Sequence, residues 1–62
     1  MSARFVVKRD KTGKYRFIIV SSNGQILVTS EPYMRKATCL AGIQALKNFA
    51  SNAAVQDETA DE

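Results

Sequence analysis

Two short turn sequences divide the first thirty residues of the chain into three apolar segments. Asp10-Lys11-Thr12-Gly13 is typical of a three-residue hairpin loop whose glycine takes a left-handed backbone conformation. Asn23-Gly24 is a strong signal for a two-residue type I′ turn. The segments on either side are rich in Val, Ile, Phe and Tyr, as strands are. These segments are Arg4–Arg9, Lys14–Ser21 and Gln25–Ser30.

The two turns also predict how the three strands pair. A loop over Lys11–Gly13 places Val7 opposite Phe17 and Phe5 opposite Ile19. A two-residue Asn23-Gly24 turn places Ser21 opposite Ile26, Val20 opposite Leu27, and Ile19 opposite Val28. Together the two registers put seven apolar side chains on one face, and a slip of one residue would separate them. These are Phe5, Val7, Tyr15, Phe17, Ile19, Ile26 and Val28. The sequence therefore predicts a three-stranded antiparallel meander.

The second half of the chain has the apolar spacing of one helix. From Ala37 onward, apolar residues recur at steps of three and four. We expect a helix from about Met34 or Arg35 to about Ala50, packed on the sheet face that carries Phe5, Phe17 and Ile19. Gly42 costs this helix about 1 kcal/mol relative to alanine, and we expect it to allow a close approach to the sheet. The fold class is α+β.

The chain is too short for more than one domain. We assign residues 1–57 to this domain and residues 58–62 to an acidic tail that we expect to be disordered. Residues 54–57 could add a short fourth strand at an edge of the sheet.

One helix covers only one face of such a sheet. The predicted registers place four apolar residues together on the other face, where a water-facing surface would be polar. They are Val6, Ile18, Val20 and Leu27. A chain this small buries too little surface to be very stable alone, and a partner subunit is a common remedy. We therefore predict a homodimer through this face, formed by sheet stacking or by exchange of elements.

The charges suggest an alternative function. All nine Lys and Arg residues lie in residues 1–50 with only two acids, whereas the last six residues contain four acids. The first part carries 9 − 2 = +7 and the tail −4, which gives the net charge of +3. A basic surface attracts nucleic acid. The candidate contacts are Arg4, Lys8, Lys14, Arg16, Arg35 and Lys36. The predicted open face lacks aromatic residues for base stacking, which favours the homodimer over nucleic-acid binding.

Other functions find little support in the sequence. Cys39 is the only thiol and the chain has no histidine, so it lacks the usual base for a cysteine nucleophile and the ligands of a zinc site. Its three glycines do not form a phosphate-binding loop. We expect no enzymatic activity, metal, cofactor or small-molecule ligand. No apolar run is long enough for a membrane span, and no signal peptide is evident, so we expect a cytoplasmic protein.

Several short sequences occur in the order and spacing of one known family. They are Gly13–Phe17, Asn23-Gly24, Ser30-Glu31 followed by Tyr33, Gly42-Ile43, and Val55 with Asp57. From about Phe5 to Thr59 the chain resembles the YegP-like family of small bacterial domains of unknown function. The resemblance implies an α+β unit that occurs singly or as a tandem duplication, which suggests that two units complete one fold. It implies no catalytic or ligand-binding residues.

Overall fold

A computed structural model describes residues 2–59 of the chain. It contains three strands in the order β1-β2-β3, each antiparallel to its neighbour, followed by one helix. The strands are β1 (Arg4–Arg9), β2 (Tyr15–Val20) and β3 (Ile26–Thr29), and the helix is α1 (Lys36–Phe49). This confirms the predicted α+β fold. The helix begins one or two residues later than predicted, because Arg35 is still extended.

The first hairpin has the predicted loop and register. Val7 lies opposite Phe17, and Phe5 lies opposite Ile19. Gly13 has a φ of 86°, as the predicted left-handed position requires. Asp10 closes the loop because its Oδ1 accepts hydrogen bonds from the Thr12 amide at 2.9 Å, the Thr12 hydroxyl at 2.6 Å and the Lys14 amide at 3.0 Å.

The second hairpin differs from the prediction, and the two-residue type I′ turn is wrong. Only Gly24 has a positive φ here, whereas a type I′ turn needs one at Asn23 as well. Ser21 instead pairs with Gln25 across a three-residue loop, since the Ser21 amide donates to the Gln25 carbonyl at 2.8 Å. The Ser21 hydroxyl also accepts from the Gln25 amide at 3.1 Å, which favours this wider closure.

The wider loop shifts the pairing at the start of β3. Val20 lies opposite Ile26 and not opposite Leu27, and the predicted Ser21–Ile26 pair is also wrong. A β-bulge then restores the predicted pairing of Ile19 with Val28. Leu27 is therefore the additional residue of the bulge.

The core lies between the middle of the sheet and the helix. Phe17, Cys39 and Ile43 form its buried centre, and five half-buried residues pack against them. These five are Phe5, Val7, Tyr15, Tyr33 and Leu46. The predicted packing face is thus confirmed for Phe5 and Phe17. The prediction was wrong at β3, because Ile26 and Val28 are exposed. On the helix, Leu40 is also 46% exposed.

Tyr33 connects the sheet to the helix. Its amide and carbonyl pair with those of Tyr15 at 2.7 and 2.8 Å, and its ring stacks on Phe17 with centroids 6.4 Å apart. A Cβ at Gly42 would lie 2.7 Å from the Tyr33 hydroxyl oxygen and 3.2 Å from Cζ. Gly42 therefore gives the tyrosine ring its space against the helix.

After the helix, the chain makes a short 3-10 turn over Ala50–Asn52 and then continues without regular structure to the end of the described residues. Residues 53–59 are exposed, and the anticipated fourth strand over residues 54–57 is absent from the single chain. Of the predicted disordered tail, residues 60–62 lie outside the described residues.

Gly42→Ala is expected to lower the free energy of unfolding by about 1 kcal/mol, because displacing the packed Tyr33 ring outweighs the gain in helix propensity. Chemical denaturation would measure the change. The loss should shrink in a Tyr33→Phe background, where the nearest contact atom is missing. Ala45→Gly, at an exposed position of the same helix, reports helix propensity alone. A more stable Gly42→Ala protein would contradict this role for Gly42.

Stability should fall in acid through Asp10. Hydrogen bonds from Thr12 and then from Lys14, together with the charge of Arg16, hold the pKa of Asp10 below its ordinary value. A carboxyl with a lowered folded-state pKa stabilises the fold above its unfolded pKa, and this contribution is lost as pH falls through the folded pKa. Asp10→Ala should therefore flatten the decline of the thermal midpoint as the pH falls below the ordinary aspartate pKa of about 3.9.

Glu31→Gln serves as the matched control for this measurement. It removes an exposed carboxyl that lies between β3 and the helix, outside the loop that Asp10 closes. This substitution should leave the acid dependence of the hairpin unchanged. Equal acid profiles for the wild type and Asp10→Ala would show that the loop carboxylate does not contribute.

Candidate interaction surfaces

Residues 2–59 form no pocket, and no group of three His, Cys, Asp or Glu residues among them could hold a metal ion. Cys39 is completely buried in the core, which supports a structural thiol. None of the described helices has the length and apolar character needed to cross a membrane.

The outer edge of β3 is the most exposed apolar surface of the sheet. Ile26, Leu27 and Val28 are 58%, 57% and 44% exposed, and β3 pairs only with β2. The strand contains no charged residue. The other edge, β1, contains Arg4, Lys8 and Arg9. Charged residues at an edge discourage pairing with another chain, so only the β1 edge is protected in this way.

The segment over residues 53–59 is a second unusual surface. All of its residues are exposed, and Val55 is 94% exposed. Ala53 has extended dihedral angles, and its amide bonds back to Ala50 at 3.2 Å. From residue 54 to 59, no backbone group is bonded to the sheet or helix. This stretch has the free backbone groups that a pairing strand needs.

The four residues of the predicted dimer face differ in exposure. Val6 lies opposite Ile18 as expected, but Ile18 and Val20 are only 8% and 5% exposed within the single chain. Leu27 is the one member of this set with a large exposed side chain. That these four residues contact a partner stays a prediction. Within this set, the apolar surface that a partner could reach is concentrated at Leu27.

The six predicted cationic contacts fall into two groups. Arg4, Lys8 and Arg16 alternate with apolar residues on β1 and β2, and Lys8 lies directly opposite Arg16. Lys14 adjoins them at the end of the first hairpin loop. Arg35 and Lys36 lie apart from them in sequence, at the start of the helix. Four of the six therefore lie on β1, on β2 or at the loop that joins them.

Three exposed apolar side chains were not anticipated as surface features. Met34 is 77% exposed before the helix, Phe49 is 72% exposed at its end, and Val55 follows. The exposure of Ile26 was missed because Asn23-Gly24 indicated a two-residue turn. Ser21, two residues before Asn23, is the signal that would have indicated the wider loop, since its hydroxyl contacts Asn23 and accepts from the Gln25 amide.

Comparisons with known proteins place this fold in a family. Residues 10–57 match the model of DUF1508, a domain of unknown function. A UPF0339 protein of Treponema denticola is 38% identical over 55 residues, which are 89% of this chain and 95% of that protein. A UPF0339 protein of Methanosarcina acetivorans is 42% identical over 53 residues, which are 86% of this chain and 91% of that protein.

The chain is also similar to a solved structure and to a longer relative. The solution structure of a protein from Haloferax volcanii has a TM-score of 0.81 and 37% identity, and the match covers 90% of this chain and 95% of that one. The UPF0339 protein YegP of Yersinia pestis is 36% identical over 44 residues, which are 71% of this chain and 39% of that protein. The predicted resemblance is confirmed, although the expectation of a purely bacterial family was too narrow. The chain belongs to the DUF1508 family of domains of unknown function, which includes YegP and has bacterial and archaeal members.

Proposed function

We propose that this protein is a non-enzymatic interaction module whose complete unit is a homodimer. In this dimer, residues 53–59 of each subunit lie along β3 of the other. The observation that carries the proposal is the large surface of the single chain. The exposed β3 edge and the unpaired segment after the helix identify where that surface would be covered.

The single chain exposes more surface than a compact protein of its mass. Its accessible area is 5223 Å², whereas the usual scaling for a folded 6.8 kDa monomer gives roughly 3,950 Å². The excess is roughly 1,300 Å² per chain on that scaling. Obligate dimers bury roughly 1,000–2,500 Å² on each subunit, so the excess is the area that one such interface would remove.

The chain is also more extended than a compact domain of its length. The radius of gyration is 14.0 Å, compared with about 10.6 Å expected for 62 residues in a compact domain. The long axis is 44 Å. Seven extended residues span about 23 Å. The segment over residues 53–59 is therefore long enough, when extended, to lie along a strand of a second copy.

A strand exchanged between subunits would cover the exposed edge of β3 and would also give the backbone groups of residues 53–59 hydrogen-bond partners. The outer edge of β3 offers backbone groups without the charged side chains that prevent pairing. Adding an extended segment to a sheet edge is a common mode of recognition, in which backbone hydrogen bonds provide affinity and side chains provide specificity. The twofold symmetry of a homodimer would repeat the exchange in both directions.

The length of YegP is consistent with two units in one assembly. The 44 residues matched in that protein are only 39% of its length, which leaves room for a second unit of similar size. This chain contains one unit. In the homodimer, a second copy of the chain would therefore supply the second unit, for which the longer relative has room in one polypeptide.

Sedimentation equilibrium should give a mass twice the 6.8 kDa of one chain at micromolar concentration. The physical reason is that residues 2–59 bury only five apolar side chains, and a small core of this kind is commonly completed by a partner subunit. A mass of one subunit at high micromolar concentration would contradict the homodimer.

Val55→Pro should raise the dimer dissociation constant at least tenfold, which corresponds to about 1.4 kcal/mol. Proline lacks the N–H group that a paired strand donates, but at this exposed position it removes no contact within one chain. Val55→Ala is the control for the side chain alone. An unchanged dimer mass for Val55→Pro would exclude strand exchange and leave sheet stacking as the alternative.

Leu27→Lys should also produce folded monomers, because it places a charge on the unprotected edge of β3. Leu40→Lys is the matched control, since Leu40 is a similarly exposed leucine on the helix. Size-exclusion chromatography with light scattering would compare the two. Monomers from Leu40→Lys and dimers from Leu27→Lys would place the contact on the helix. Ile18→Asp is less informative, since Ile18 is already buried within one chain.

A further inference from the structure

We propose that the protein has a second binding site, for the phosphate backbone of duplex nucleic acid, on the sheet face opposite the helix. The site is formed by Arg4, Lys8, Lys14 and Arg16, which we call the cationic strip. It lies on β1, β2 and the loop between them. The proposal does not rest on the homodimer, because the exchanged segment would occupy the far edge of the sheet at β3.

The geometric basis of the site is a pair of like charges. Lys8 and Arg16 are direct cross-strand partners. Side chains in such a position have Cβ atoms about 4.5–5.5 Å apart, and like charges there destabilise a sheet. An anion on this face would contact both groups and remove the repulsion.

Only one of the two charges is balanced within the described chain. The Arg16 Nε lies 3.7 Å from Asp10 Oδ2, and Arg16 Nη1 donates to the Ser30 carbonyl at 3.1 Å. These contacts hold the guanidinium in place, and its side chain is still 41% exposed. Among residues 2–59, Lys8 has no carboxylate within ion-pair distance. The ammonium group of Lys8 is therefore available to a bound anion.

The remaining two cations extend the site along the sheet. Lys14 is exposed and follows the loop that Asp10 closes. Arg4 is exposed at the other end of β1, on the same face as Lys8 because four residues separate them. Along a strand this separation is about 13 Å. Charges spread over this distance suit a polymer with repeated phosphates better than a single small anion.

The absence of aromatic side chains from this face selects the form of nucleic acid. Proteins that bind single strands stack bases on exposed aromatic rings. The aromatic residues of this sheet, Phe5, Tyr15 and Phe17, all pack in the core on the helix side. The cationic strip can therefore contact phosphates but offers no stacking platform. Such contacts bind a duplex without reading its base sequence.

The test is a salt titration of binding to a random-sequence DNA duplex, followed by fluorescence anisotropy. Binding through three or four phosphates predicts a slope of log K against log salt of about −3. Lys8→Gln should reduce the magnitude of that slope by about 1 and weaken binding to all sequences equally. Lys36→Gln, which removes an exposed lysine at the start of the helix, should leave the slope unchanged.

A thermal measurement separates the binding role from a structural one. Without DNA, Lys8→Gln should have a thermal midpoint equal to or above that of the wild type, because the like-charge contact is removed. With DNA, the midpoint should rise more for the wild type than for Lys8→Gln. The dimer mass of each variant should match that of the wild type, so a loss of DNA binding would not reflect dissociation.

Four results would overturn the proposal. They are the absence of duplex binding at low salt, an equal loss of slope in Lys36→Gln and Lys8→Gln, stronger binding to a single strand than to the duplex, and binding to anionic phospholipid vesicles without binding to DNA. No duplex binding would show that the site does not exist, and an equal loss of slope in both variants would show that the contact is not specific to the cationic strip. Preference for a single strand, or binding to vesicles alone, would assign the site to another class of ligand.

Discussion

The contact of Tyr33 with Phe17 and Gly42 determines how the sheet and helix fit together. Tyr33 is tied to β2 by two backbone hydrogen bonds, and its ring lies between Phe17 and the middle of the helix. Because the contact fixes the helix over this part of β2, the core forms around Phe17, Cys39 and Ile43. The same placement leaves β3 uncovered.

The uncovered β3 and the segment after the helix both add to the exposed surface of the chain. One 14-residue helix cannot cover three strands, and its contacts are concentrated on β2. Ile26, Leu27 and Val28 consequently lie outside the core. A larger domain would cover such a strand with a second helix or loop. Among residues 2–59, the segment after the helix is the one remaining stretch that could serve this purpose.

The sequence predicted the parts of the fold that depend on local chemistry. Asp10 and Gly13 determine the first loop through their own hydrogen bonds and backbone angle, so the β1–β2 register followed from residues near the turn. The second loop was mispredicted because the Ser21 hydroxyl competes with the preference of Asn23-Gly24. The exposure of β3 depends on where the helix lies across the sheet, and residue spacing alone does not contain that information. The candidate cations were identifiable by type, and the structure adds that Lys8 lies directly opposite Arg16, whereas Lys36 begins the helix.

The two proposed surfaces follow from one difference between the sheet edges. The cations of β1 prevent that edge from pairing with another strand, and two of them, Arg4 and Lys8, also belong to the cationic strip. β3 has no charge and is therefore free to pair. Arg16 on the central strand is already held by Asp10 and the Ser30 carbonyl, whereas Lys8 has no carboxylate within ion-pair distance among residues 2–59. Lys8 is therefore the residue that edge protection and the proposed phosphate site would share.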